Sequence, residues 1–65
     1  MLEQEIEKYY RRNAVLQITG FSRSLLYSEM DEGRFPRPVK IAARAVAWRE
    51  SDIAAWQAQR SNDAA

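Results

Sequence analysis

The sequence contains neither cysteine nor histidine. Their absence removes disulfide staples, thiolate and imidazole metal sites, and the Ser-His and Cys-His pairs of nucleophilic catalysis. What is left for chemistry is carboxylates, hydroxyls and amines, and none shows the base-plus-nucleophile spacing that an enzyme needs. The reading is a non-enzyme with no cofactor and no small-molecule ligand. Long apolar runs are also missing: nothing approaches the roughly 20 residues that span a bilayer. The first ten residues carry Glu3, Glu5 and Glu7 where a secretory leader would carry positive charge. A cytoplasmic protein with no membrane partner is the expectation.

Within these exclusions stand 65 residues, 46% of them hydrophobic. That length supports one domain with one small core, near the lower limit for folding without a staple. Stability must come from packing, helix caps or self-association. The net charge of +1 hides an uneven distribution. Residues 1–10 are acidic on balance, whereas residues 34–49 carry Arg34, Arg37, Lys40, Arg44 and Arg49 with no acid. Such a run favours a phosphate-facing surface over a merely solvated edge when it follows a DNA-binding motif.

The scarce glycines and prolines punctuate the chain. Leu2, Ile6, Tyr9 and Tyr10 fall at helical spacing, which predicts a short amphipathic helix over 2–10. Its stripe would pack on the domain's own core, serve dimerisation, or lead in as a disordered segment, and the residues do not choose among these. Asn13 is a good N-cap for a short helix over 14–19, closed by Gly20. Ser22 caps a second helix from Arg23 to about Glu32, with Phe21 and Leu26 placed as a hydrophobic staple. Gly33 ends it, and Pro36 and Pro38 forbid its continuation. Residues 39–41 and 45–48 read as two strands joined through Ala42, Ala43 and Arg44. A last helix begins near Glu50, Ser51 or Asp52 and runs to about Gln59, with Ile53 and Trp56 facing inward. Residues 61–65 read as a frayed tail. The domain proper is expected over 13–60, preceded by the segment 1–12.

Helix, glycine turn and second helix over 14–32 have the form of a helix-turn-helix whose second helix enters the DNA major groove. On a helical wheel Leu25, Leu26 and Met30 fall on one side, and Ser24, Tyr27, Ser28 and Asp31 on the other, with Arg23 at the flank. Serine hydroxyls reach base edges and phosphates, tyrosine reaches a phosphate or a thymine methyl, and arginine reads guanine bidentately. Against this, Ser22 is first a cap, Ser24 and Ser28 equally suit a solvated face, and Tyr27 suits half-buried packing. Asp31 disfavours a phosphate at the far end of the helix. Lys40 and Arg44 would project from the hairpin toward phosphates or a minor groove. Trp48 and Trp56 suit the core better than a stacking platform for single strands.

Three stretches carry a family resemblance. They are Ile18-Thr19-Gly20-Phe21-Ser22-Arg23-Ser24-Leu25-Leu26-Tyr27, then Gly33-Arg34-Phe35-Pro36-Arg37-Pro38-Val39-Lys40, then Ala45 through Trp56 with its Trp48-Arg49-Glu50-Ser51 core. Together, over about Val15 to Arg60, they resemble the AlpA-type prophage regulators. The resemblance implies a mainly α fold with a small β-hairpin: a MerR-like, excisionase-like winged helix-turn-helix of three short helices and a two-stranded wing. DNA-contacting roles would fall on Ser22, Arg23, Ser24, Tyr27 and Ser28, and on Lys40 and Arg44; Arg37, from the basic run, is the further DNA-binding candidate. Two features depart from the family pattern: Ser28 stands where a basic residue is common, and Ala42 and Ala43 stand where the wing turn usually has glycine.

The function implied is a sequence-specific double-stranded DNA-binding regulator of phage, prophage or mobile-element genes, nucleoid-associated in a bacterial cell. A recombination directionality factor that bends attachment-site DNA and a protein-interaction module are the alternatives. A module this small buries little DNA-facing surface, so self-association or cooperative binding on DNA is expected to supply affinity.

Overall fold

The computed structural model describes residues 6–63, with side chains described through Arg60. In chain order the elements are β1 (Tyr9–Tyr10), α1 (Arg12–Thr19), α2 (Arg23–Asp31), β2 (Val39–Ala42), β3 (Ala45–Arg49) and α3 (Glu50–Asp63). The architecture is the expected winged helix-turn-helix, three helices with a β2–β3 hairpin wing. A short strand is added to the far edge of the hairpin, giving an antiparallel sheet of order β1-β3-β2.

That strand corrects the reading of residues 2–10 as a helix. Residues 2–5 lie outside the described residues. Tyr9 and Tyr10 are extended and pair with Arg49 and Trp48, and Ile6 is 96% exposed, not part of an inward stripe. The reason is long-range pairing. The Glu50 N–H donates to the Lys8 carbonyl at 2.9 Å. Glu7 Oε1 accepts from the Ser51 N–H at 3.2 Å and its hydroxyl at 2.9 Å. Glu7 thus caps α3, its negative charge against the positive end of the helix. Tyr10 packs on the domain's own core, while Tyr9 is 50% exposed.

Entry through β1 also moves the start of α1. The helix begins at Arg12 with Arg11 as its N-cap, and the Val15 N–H reaches the Arg11 carbonyl at 3.0 Å. Asn13, the better cap by residue type, lies inside the first turn, because the strand fixes where the chain turns. The end is as expected: Gly20 takes φ +78°, and its N–H returns to the Leu16 carbonyl. Thr19 Oγ1 accepts from the Phe21 N–H at 3.1 Å while donating to the Val15 carbonyl, which stiffens the turn between the helices.

Both ends of α2 follow the sequence reading. Ser22 accepts from the Leu25 N–H at 3.1 Å. At the other end the Gly33 N–H reaches Met30 O and the Arg34 N–H reaches Glu29 O, a Schellman closure around Gly33 at φ +78°. Substituting Ser22→Ala removes the cap and is expected to cost about 1 kcal/mol, or about 4–8 °C in Tm for a domain of this size. A thermal melt followed by circular dichroism checks it. A Tm within a degree of the parent's would show that water replaces the serine oxygen at no cost.

The core consists of Val15, Leu26, Met30, Phe35, Trp48 and Ile53, with Tyr10, Leu16, Phe21 and Trp56 packed against it. Edge-to-face contacts link Phe21, Phe35, Trp48 and Trp56, at centroid distances of 5.1 to 6.4 Å. Trp48 is 1% exposed and its Nε1–H donates to the Pro36 carbonyl at 2.9 Å. The tryptophans therefore hold the domain together, as read. Leu25 differs: it sits about 100° around the helix from Leu26 and is 42% exposed.

The wing turn is Ala43–Arg44, and among the described residues no non-glycine residue has positive φ. A two-residue hairpin turn without positive φ does not match the twist of its strands. The register slips by one residue between Lys40 and Ala42, and this bulge at Ile41 absorbs the mismatch. At the far end α3 continues to Asp63, past Gln59. Residues 61–63, expected in the tail, form its last backbone turn, and residues 64 and 65 lie outside the described residues.

Candidate nucleic-acid interface

The exposed side of α2 is built by subtraction. Leu26 and Met30 are buried, so Ser24, Tyr27, Ser28 and Asp31 are left facing outward, with Leu25 beside them. Ser24 and Ser28 make no side-chain hydrogen bond among the described residues, which leaves their donors and acceptors for a ligand. Ser22 is exposed at the helix start, with its oxygen already engaged by the Leu25 N–H. Arg23, the first helical residue, is exposed.

Tyr27 is 43% exposed and stands at the edge of this face. Its Oη accepts from Arg12 Nη1 at 3.3 Å. The two side chains border a cleft of about 200 Å³ lined also by Arg11, Asn13, Val46 and Trp48. Val46 connects the cleft to the wing. Lys40 is paired directly opposite it, and residues directly opposite in antiparallel strands project from the same face. The structure thus groups Tyr27 and Lys40 around one surface, with Arg11 and Arg12 between α2 and the hairpin. Arg44 lies in the turn at the tip of the wing.

The cationic run over 34–49 does not act as one unit. Arg34 forms a two-pronged pair with Glu29, at 2.9 and 3.0 Å, and approaches Glu32 at 3.9 Å. Its hydrogen bonds and charge hold the Glu29 carboxyl below its ordinary value of 4.5, against some desolvation, and Glu29 in turn raises the Arg34 guanidinium. This pair stays charged at neutral pH and braces the α2 end. Arg49 lies 4.0 Å from Asp52. Arg37 Nη2 donates to the Met30 carbonyl at 3.4 Å, answering the negative end of α2; no contact brings it to the Tyr27 cleft. Lys40 and Arg44 make no ion pair among the described residues, and neither do Arg11, Arg12 and Arg23.

Arg11 and Arg12 were not among the residues that sequence reasoning placed at the interface. Their signal was the Arg-Arg doublet just before Asn13, which the expected helix starts left in a connection. Among the described residues, no group of three or more acids could hold a metal ion, and no helix is long and apolar enough to cross a membrane.

Comparison with known proteins bears on this geometry. The family model described as the prophage CP4-57 regulatory protein (AlpA) matches residues 8–61, a span that includes β1 and the arginine doublet as well as the helix-turn-helix and wing. An uncharacterized protein, ORF88, of Enterobacteria phage P4 is 37% identical over 54 residues. That match covers 83% of this chain and 61% of the phage protein. No solved structure matches the chain significantly.

Proposed function

The chain belongs to the AlpA family of prophage regulatory proteins, and on that premise we propose that it binds double-stranded DNA sequence-specifically as a transcriptional regulator of phage, prophage or mobile-element genes. The observation that carries the reading is the pairing of a polar helix face, on which Ser24 and Ser28 make no side-chain hydrogen bond among the described residues, with cations that have no acid partner among the described residues. Ser24, Tyr27 and Ser28 lie on a helix rigidly capped at both ends, and Lys40 projects on the side of the hairpin that meets Tyr27's cleft. Such a helix lies in a major groove while flanking cations neutralise phosphates. In this reading Arg23, Ser24, Tyr27 and Ser28 contact the groove. Ser22 orients the helix and its N-terminus toward a phosphate, Lys40 and Arg44 hold the backbone or minor groove, and Arg37 supports the helix end.

The test is fluorescence anisotropy with duplexes tiled across the gene's upstream region and any neighbouring integrase attachment region, at several salt concentrations. One tile is expected to bind far more tightly than the rest, with affinity falling steeply as salt rises. A promoter location supports the regulator, and clustered sites at an attachment region support a recombination directionality factor instead. No binding above background at low salt would overturn the DNA-binding reading and direct attention to a protein partner.

A further inference from the structure

We propose that Arg11 and Arg12 form a clamp for a backbone phosphate of duplex DNA, an anchor on α1 that is separate from the groove-facing residues of α2 and from the wing. The inference rests on the duplex-binding reading above and adds a site to it.

Arg11 and Arg12, at the start of α1, both line the cleft beside Tyr27 with no carboxylate within ion-pair distance among the described residues. The first turn of α1 carries no acid, and no side chain caps it, so the positive end of the helix adds to their charge. Elsewhere the described arginines with close acids are paired with them, as Arg34 is with Glu29 and Arg49 with Asp52. Here no acid among the described residues balances the charge, and an anionic ligand would.

The geometry of Arg12 specifies what that charge is. Its Nη1 is held by Tyr27 Oη, while its Nε is buried with no acceptor. A buried donor without a partner is costly, and Arg12 also lines the cleft. The cleft, about 200 Å³, is large enough to admit the tetrahedral head of a phosphodiester. The planar fork of arginine matches phosphate oxygens two at a time. Because Tyr27 borders the cleft on one side and Val46, opposite Lys40, borders it on the other, the bound phosphate lies between the groove-facing helix and the wing. That is where one strand of a duplex passes when the helix occupies the groove beside it. A contact of this kind positions the protein without reading sequence.

The experiment compares Arg11→Gln, Arg12→Gln and the control Arg49→Gln in the full chain. Each is titrated by anisotropy into the tightest-binding duplex and a scrambled duplex of equal length, over roughly 50 to 200 mM salt. Each clamp variant is expected to weaken both duplexes by about tenfold and to reduce the slope of log affinity against log salt by a part of the roughly 0.9 that one phosphate contributes. Arg49→Gln keeps the parental slope. Parental slopes in both clamp variants would overturn the clamp, as would weakening confined to the specific duplex. Should Arg12→Gln lower the thermal stability through the lost Tyr27 contact, Arg11→Gln decides, because the Arg11 side chain makes no hydrogen bond among the described residues. A parent that binds no duplex at all is a different result: it overturns the DNA-binding reading, and the clamp with it.

Discussion

Trp48→Ala is expected to abolish cooperative folding. Removing a buried indole costs about 3–5 kcal/mol in lost transfer energy and cavity. The lost bond from Nε1 to the Pro36 carbonyl adds about 1 kcal/mol, more if the carbonyl stays dry. A 65-residue chain has a total stability of roughly 3–10 kcal/mol on per-residue averages, so one substitution removes most of it. The position is also central in topology. Trp48 is on β3, the strand that pairs with both β1 and β2, and its ring meets Phe35 at 6.4 Å. Its loss therefore loosens the wing, the N-terminal strand and the turn after α2 together. Near-ultraviolet circular dichroism and a thermal scan read the outcome: no sharp transition for Trp48→Ala, and a retained transition at lower Tm for Trp48→Phe, which keeps a ring but not the donor. A Trp48→Ala melt within a few degrees of the parent's would place the organising core elsewhere.

The same packing explains what local pattern could reveal. Every signal for α2 lies within its own neighbourhood: Ser22 before it, Gly33 after it, and prolines beyond. Both ends of this helix, and the exposure of Ser24, Tyr27 and Ser28, were therefore legible. The wing strands were legible to within a residue or so, because alternation and β-branching are local too. β1 was not. Tyr9 and Tyr10 share helical spacing with Ile6, and what makes them extended is pairing with Arg49 and Trp48, far along the chain. The cap of α3 is hidden in the same way: Ser51 is bonded by Glu7, across the whole domain, rather than by a residue at the helix start.

The pairing of the basic residues is hidden for a related reason. Five cations in a row without an acid read as one phosphate-facing surface, but the chain reverses at Gly33 and brings Arg34 back onto Glu29. Arg49 finds Asp52 one turn into α3. Counting along the sequence could not separate braced cations from those left for a ligand. The doublet at Arg11 and Arg12 gave no such run, and its value is apparent only when α1 is seen to start there, beside Tyr27. Leu25 is a smaller instance: the helical wheel groups it with Leu26 and Met30, but about 100° of rotation from Leu26 carries it to the edge of that side, where it is 42% exposed.

Arg23→Ala and Lys40→Ala are expected to weaken DNA binding in two distinguishable ways. Arg23 occupies the first turn of the helix assigned to the groove, is exposed, and has no acid partner among the described residues. A bidentate arginine contact to guanine discriminates by about 1–3 kcal/mol, so Arg23→Ala should cost roughly 5- to 150-fold on the preferred duplex. On a scrambled duplex it should cost only the few-fold that one lost positive charge implies. Lys40 is a point charge on the hairpin, opposite Val46, with no base edge implied by its placement. Lys40→Ala should therefore weaken both duplexes equally and reduce the salt slope by about 0.9, the signature of one lost phosphate contact. Titrations of both variants against both duplexes over a range of salt separate the two patterns. If the two substitutions weaken every duplex alike, α2 is not reading sequence through Arg23, and specificity would have to arise from Ser24, Tyr27 and Ser28 or from the deformability of the DNA between contacts.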